Sequence, residues 1–368
     1  MSFSILSLQV KRSNLVFGVC SALFVSLLFI GCHGDPLTTP GYREPVLVGG
    51  TIQADTTWHA ADGPYRVTED LLVPIGVTWT VEGGTEIFVD WNRIIEIQGR
   101  AWFIGDEENR IVVRSEQGVW KGFRFVGGLF AGDGLSYVDI YNAVVAIECV
   151  DSVLVGLMGC RIFSNDIIGV RADSGAGILV SSCQFVNDRS LNQLNPTALW
   201  ASNGGYLTII DTKISGFHFG VRIHEFPLSL IRRVLPYSFT SRDTITNCDI
   251  GIVIDSPQDI IISENVYMGN QTAILITQGN PNISNNDFIK NTDCIHVEGP
   301  CAPTAHQNNF IDTGQWAWWN ATRDSVDATQ NWWGTTDPDS IAALIYDQED
   351  DSLLGLVQFE PFLTNPRP

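Results

Sequence analysis

Between residues 163 and 313 the chain repeats one short phrase seven times: a hydrophobic residue, any residue, then a turn-former, usually Asn. A small residue and a second hydrophobic one often follow three or four positions later. The phrases are Phe163-Ser164-Asn165, Phe185-Val186-Asn187, Ile214-Ser215-Gly216, Ile245-Thr246-Asn247, Met268-Gly269-Asn270, Ile289-Lys290-Asn291 and Ile311-Asp312-Thr313, with third positions 22, 29, 31, 23, 21 and 22 residues apart. A period of about 20 to 50 residues marks a solenoid, in which each repeat buries its apolar face only against its neighbours. Within a repeat, runs such as Ile178-Leu179-Val180, Leu207-Thr208-Ile209-Ile210 and Ile260-Ile261-Ile262 are β-prone and bounded by Gly, Asn, Asp or Ser. No segment of residues 46–331 sustains a helical period, which removes the helix-bearing solenoids. The pattern predicts an all-β coil of short parallel strands stacked about 4.8 Å apart. Asn165, Asn187, Asn247, Asn270 and Asn291 should then fall in one column, each amide bonding to its neighbours above and below.

The segments Thr56-Thr57-Trp58, Tyr65-Arg66-Val67, Leu71-Leu72-Val73-Pro74 and residues 80–87 resemble the opening coils of secreted β-helix proteins. Asn331-Trp332-Trp333-Gly334-Thr335, with Pro361 beyond it, resembles their closing rung. On these motifs the chain resembles the right-handed parallel β-helix, or pectate-lyase-like, superfamily. The resemblance implies a single-domain solenoid over residues 46–335 and a cap over 336–368. Paired tryptophans would cover the open apolar end against strand addition, and residues 340–345 are expected to form a short helix with Asp337 or Asp339 near its start. The fold fixes no activity, because unrelated functions sit on it.

Ahead of the coil, Lys11 and Arg12 precede an apolar run over residues 15–30, short for a membrane span, that ends at Gly31-Cys32. Residues 1–31 read as a secretion signal, and Phe29-Ile30-Gly31-Cys32 resembles the bacterial lipobox, although Phe29 departs from its usual Leu. The resemblance implies that Cys32 is the lipid anchor, and two or more acyl chains give stable membrane attachment. His33 is not the aspartate that retains lipoproteins at the inner membrane, so the outer membrane or cell surface is expected. A soluble secreted protein is the other reading. Residues 32–45, rich in Pro, Thr and Gly, form a tether. Export permits disulfides, but a long β-rich chain does not need them. Of the six later cysteines, Cys149, Cys160, Cys183, Cys248, Cys294 and Cys301, we expect buried thiols, with Cys294 and Cys301 the pair that proximity favours for a bridge.

With 21 basic and 41 acidic residues the formal net charge is −20, and removal of Lys11 and Arg12 with the signal makes it about −22. Such a surface repels phosphate backbones and argues against nucleic acid as a partner. Asp347-Gln348-Glu349-Asp350-Asp351 offers oxygen ligands for calcium but lacks the interleaved Gly and ligand alternation of a dedicated loop, and reads as a solvated acidic face. No CxxC pair, phosphate loop, dinucleotide fingerprint, HExxH or GxSxG elbow occurs, so no cofactor or resident metal is called for. A monomer is expected, touching the membrane through its lipid alone.

Chemistry has two places to enter, the insertions over residues 188–199 and 225–237 that lengthen two repeats, since loops on a rigid solenoid often carry binding function. Asp166 and Asp188, one rung apart, are suited to glycoside hydrolysis as a carboxylate pair, or are ordinary turn residues. Arg222 and His224 alternate with inward Val221 and Ile223, so they point outward beside Glu225, placed to bind or deprotonate an acidic sugar or simply to face solvent. Arg232-Arg233 can clamp a uronate carboxylate. Trp316 and Trp318, on one face by alternation, offer rings for sugars to stack on, with core packing as the alternative. Asn291-Thr292-Asp293 resembles the first signature of pectin-hydrolysing glycosidases, but their aspartate pair, Gly-His-Gly and Arg-Ile-Lys are missing, so it is a turn. Two functions stay open: a surface-anchored lipoprotein that binds polysaccharide or acts as a rigid interaction module, and a polysaccharide lyase, glycoside hydrolase or epimerase working in a groove beside the insertions.

Overall fold

A computed structural model describes residues 43–127, 133–163, 167–188, 195–224, 239–257 and 260–368. Cys32, Asn165, Asp166, Glu225, Arg232 and Arg233 lie outside the described residues. Arg43–Pro368 forms one compact unit.

Each turn of backbone consists of three short strands. Gly177–Ser181 leads into Gln184–Val186 and then Thr197–Ser202; one turn later Tyr206–Ile210, Lys213–Ser215 and Phe219–His224 lie on them, parallel and in register. Among the described residues this stacking builds a 13-stranded sheet, here the base face, and a 23-stranded sheet. The larger sheet contains two faces of the coil, a short-strand face and a long-strand face. They count as one because Tyr65–Val73 runs unbroken through a corner, pairing first with Glu86–Val89 and then with Ile94–Ile97. Alternate residues of the base-face strands point into the coil, and Val155, Ile178, Leu207, Ile262 and Ile283 are fully buried there.

The corner between the base and short faces repeats one device. Ser182, Asp211, Arg242, Glu264, Asn285, Gln307 and Gln330 each adopt a left-handed φ of 53° to 60°, and the residue that follows turns its side chain inward. Asn331 Oδ1 accepts the backbone N–H of Asn308 at 2.8 Å, Asn308 Oδ1 that of Asn286 at 2.9 Å, and Asn286 Oδ1 that of Asn265 at 2.9 Å. Asn265, Asp243 and Thr212 continue the series to the N–H groups of Asp243, Thr212 and Cys183. Each asparagine also donates Nδ2 to a base-face carbonyl, for example Asn286 to Ile262 and Asn308 to Ile283. A buried corner has no water to satisfy its backbone, and the ladder takes that place.

This ladder is not the expected column. Asn187 and Asn247 stand at the second corner, between short and long faces, in register with Gly216 and Gly269 and one position before Asn270 and Asn291. Asn270 and Asn291 make a separate short ladder, the N–H of Asn270 donating to Asn291 Oδ1 at 2.9 Å. The offset arises because in later rungs the inward member of the phrase is Tyr267, Phe288 and Phe310, not Met268, Ile289 and Ile311 beside them. Gly216 is required where it stands: its φ is +83° and a Cβ would come within 2.0 Å of the Asn187 carbonyl oxygen.

The closing end follows expectation with two differences. Tyr267, Phe288, Phe310 and Trp333 stack with ring centroids 5.1, 5.1 and 4.7 Å apart, and Phe359 meets Trp333 edge-on. The coil continues past residue 335, because Ile345–Tyr346 pairs with Trp316–Asn320 and Val357–Gln358 pairs with Val326–Asp327. The helix spans Pro338–Ala342 after Asp337 rather than residues 340–345; Pro338 suits a first helical turn, and Ile345 is taken by the sheet. All six later cysteines are buried as free thiols. Cys294 fills a small-residue slot, and burial pushes its thiol up to about 12. Cys301 points instead to the Glu298 carbonyl at 3.1 Å, so the two do not bridge. Asp347 is buried, accepting the N–H groups of Glu349 and Val357, which makes it a turn organiser rather than part of a solvated face.

Two stability outcomes follow from the ladder. Asn286→Ala strands the Asn265 N–H in the core and should destabilise the coil by about 3 kcal/mol in chemical denaturation. Asp243 occupies an asparagine slot, and burial pushes its carboxyl up to about 7, so the folded chain holds the proton more tightly than the unfolded chain. The contribution of Asp243 to stability is therefore fully present at acidic pH and is lost as pH rises through about 7. Asp243→Asn, neutral at every pH, should match the parent near pH ~4 and exceed it by up to about 4 kcal/mol above neutrality.

Candidate functional site

The long face presents its functional groups through a break in alternation. In Phe219–His224, Gly220 and Val221 both turn inward, because the first strand residue still belongs to the corner, and regular alternation begins only afterwards. Space there is tight: a Cβ on Gly220 would lie 2.5 Å from the Gly251 carbonyl oxygen. Arg222 and His224 consequently point outward, as expected. In Trp316–Asn320 the same break sends Ala317 and Trp318 inward, so Trp318 is fully buried and does not share an open face with Trp316. The outward ring is Trp319, stacked on His296 with centroids 4.2 Å apart. Trp316 is half-buried beside Tyr346.

Register brings Glu148, Arg171, Trp200 and Arg222 into one outward column and Ser202, His224 and Asp255 into the next. Trp200 lies between two guanidinium groups, that of Arg171 at 5.0 Å and that of Arg222 at 5.3 Å from its ring centroid. The two arginines differ. Arg171 pairs with Glu148 at 3.5 Å and with Asp173. Burial alone would raise the Asp173 carboxyl, but the Asn203 amide and the Arg171 charge outweigh it and hold the group below the usual carboxylate range. Arg222 has no carboxylate partner among the described residues. It also lies 5.4 Å from the Phe219 ring, beside buried Val253, and its Nε is buried without an acceptor. On the adjacent column His224 Nδ1 contacts Asp255 Oδ2 at 2.5 Å. A partly desolvated planar cation with an open fork is suited to bidentate binding of a carboxylate.

The roots of both insertions flank this patch. The first returns to the coil just before Thr197–Ser202, which carries Trp200, and the second leaves directly after His224. Leu199, expected within the first insertion, is a buried strand residue. Asp188 is exposed at the corner where that insertion departs. Clefts of about 250 and 550 Å³ lie on the early coils, the first lined by Arg66, Asp90 and Trp91 and the second by Arg114 and Tyr141. Arg66 is already paired there with Asp90 at 2.8 Å. Among the described residues no three His, Cys, Asp or Glu side chains are grouped to hold a metal ion.

Residues 145–310, which include this patch, match the family model of the right handed beta helix region. The protein is a right-handed parallel β-helix. Among solved structures, this β-helix is similar to a double mutant of the tailspike protein of E. coli bacteriophage HK620, at 14% identity and a TM-score of 0.45. The match covers 77% of this chain and 58% of that one, so the β-helix here spans less than two thirds of the tailspike's length. No curated protein matches the chain.

The contrast between the two arginines can be measured. Arg171→Met leaves buried Asp173 without its cation and should lower stability by about 1–2 kcal/mol in thermal denaturation. Arg222→Met removes a charge that has no carboxylate partner among the described residues and should leave the melting temperature unchanged or slightly raised.

Proposed function

We propose that this β-helix binds an anionic polysaccharide along its long face, with Arg222 receiving a uronate carboxylate. The observation that carries the reading is a guanidinium held over two aromatic rings without a carboxylate partner among the described residues, in a chain of net charge −20. The surroundings suit a sugar polymer. Above Arg222 the outward column continues through Val253, Leu275, His296, Trp319 and Tyr346. At about 4.8 Å per rung the track from Arg171 to Tyr346 is roughly 34 Å long, enough for several residues of an extended glycan. Cations at one end and flat rings at the other match a polymer that carries carboxylates on one edge and apolar ring faces on the other.

The leader supports a location for this activity. The basic start, apolar run and Cys32 are consistent with a lipidated Cys32 that holds the coil at the outer membrane or cell surface through the 32–45 tether. Cys32→Ser should abolish fatty-acid incorporation and move the protein from the membrane fraction to the soluble one.

Affinity electrophoresis tests the binding reading. The protein should be retarded by polygalacturonate or alginate but not by a neutral glucan, and Arg222→Ala should weaken the retardation at least tenfold without unfolding the coil. Equal retardation by neutral glucan, or an Arg222→Ala protein that binds like the parent, would overturn it. The His224 and Asp255 pair favours a second reading, because a carboxylate-held imidazole is the arrangement of a general base. In that case the parent would release unsaturated or reducing-end products from the same polymers, and His224→Ala would not.

A further inference from the structure

The base face has the opposite character to the long face. Of the thirteen large hydrophobic side chains exposed among the described residues, six stand on its strands: Trp102, Ile104, Leu154, Met158, Leu179 and Ile261. The remaining seven are scattered over other faces and the ends of the coil. Strand register gathers the six into one patch. Trp102 shares a column with Gly134, Gly156 and Leu179, while Ile104 shares the next with Ser136, Met158 and Ile210. Glycine and serine between the larger groups keep the surface flat. Among the described side chains, no outward position of this face from Trp102 to Ser284 is charged; the nearest charges are Arg100 on the same strand, its guanidinium 5.9 Å from the Trp102 ring, and Glu82 in register with Ile104 one rung before. By contrast Glu96, Arg124, Glu148, Arg171 and Arg222 stand outward on the long face.

A large uncharged apolar patch on a strongly acidic molecule calls for a partner. The distribution of charge selects which one. Two copies of a chain with net charge −20 repel each other through every face that carries its carboxylates, and repel least where both present the base face. Docking there buries few charges, Arg100 and Glu82 standing at the rim beside Trp102 and Ile104. The patch spans seven strands, about 29 Å along the axis, and about 16 Å across, so two copies meeting face to face bury on the order of 1,000 Å². That area lies at the lower end of specific interfaces and fits a reversible dimer rather than an obligate one.

We propose that the base face is a self-association surface on which a second copy of this chain docks face to face, about a two-fold axis. Such a pair replaces the monomer expected from the sequence. It would leave the Arg222 side of each copy open, so one dimer would present two glycan-binding faces, and a long polymer would be held with avidity. The inference does not depend on the glycan reading.

Sedimentation equilibrium of the purified protein tests it. The expected result is a concentration-dependent rise to twice the chain mass that strengthens with added sodium chloride, because salt screens acidic repulsion while the contact itself is apolar. Leu179→Glu and Met158→Glu should each weaken association at least tenfold with an unchanged far-ultraviolet dichroism spectrum, and Arg222→Ala should leave it intact. A single-chain mass at every concentration and salt would overturn the proposal, as would a dimer indifferent to both glutamates. Binding of a monomeric parent to neutral phosphatidylcholine vesicles, lost in Leu179→Glu, would also overturn it and assign the face to a lipid surface.

Discussion

The coil depends on a side chain accepting the backbone N–H of the rung before it. A parallel strand pairs its own backbone, but the corner between two strands lies inside the fold, and its amides have no strand partner and no water. Each unpaired buried donor costs about 1–3 kcal/mol, which a repeat of about 22 residues cannot carry at every turn. From Asn265 to Asn331 the amide side chain meets the need twice, with Oδ1 accepting from one rung and Nδ2 donating to a base-face carbonyl. The left-handed residue before it aims the side chain inward, and the aromatic stack from Tyr267 to Trp333 fills the space beside it.

Much of this was legible in the sequence, and what was not has a definite cause. The period, the parallel strands and the closing Asn331-Trp332-Trp333 are local signals that survive any small error of register. The asparagine column is not such a signal. Tyr267-Met268, Phe288-Ile289 and Phe310-Ile311 each offer two adjacent hydrophobic residues, and choosing the outer one shifts the pattern by one position, which in a strand exchanges inside for outside. Asn265, Asn286 and Asn308 lie outside the repeated phrase, at the other corner, and nothing in the phrase points to them. Strict alternation also failed at the long strands, where Trp318 follows Ala317 inward, yet it held for Arg222 and His224, which lie beyond the break.

The rest of the candidate site was hidden by insertions. Trp200 and Arg171 stand one and two rungs from Arg222, but the counts between them are 22 and 29 residues, so no fixed period links the three in the sequence. Asp255 was equally reachable, 31 residues after His224, once the long rung was counted as one rung. The useful signal was the register of neighbouring hydrophobic strands, which carries across an insertion of any length.

The ladder and the site are connected by what the ladder lacks. In the regular half, from Asn265 onward, every slot is asparagine and rungs are 21 to 23 residues apart. Where the long rungs occur the slots hold Cys183, Thr212 and Asp243, and the Thr212 link to Cys183 stretches to 3.3 Å. Thr212 has no amide to donate, and Asp243 Oδ2 is buried without a partner unless it carries a proton, in which case it can donate as an Asn Nδ2 does. The rungs that bear Trp200, Arg222 and His224 are thus closed by the weakest ladder residues in the described coil. Departures from local consistency tend to gather where a surface is used rather than merely built. In this β-helix the regular asparagine rungs serve as the scaffold, and the irregular ones beside them hold Arg222, without a carboxylate partner among the described residues, and the carboxylate-bound imidazole.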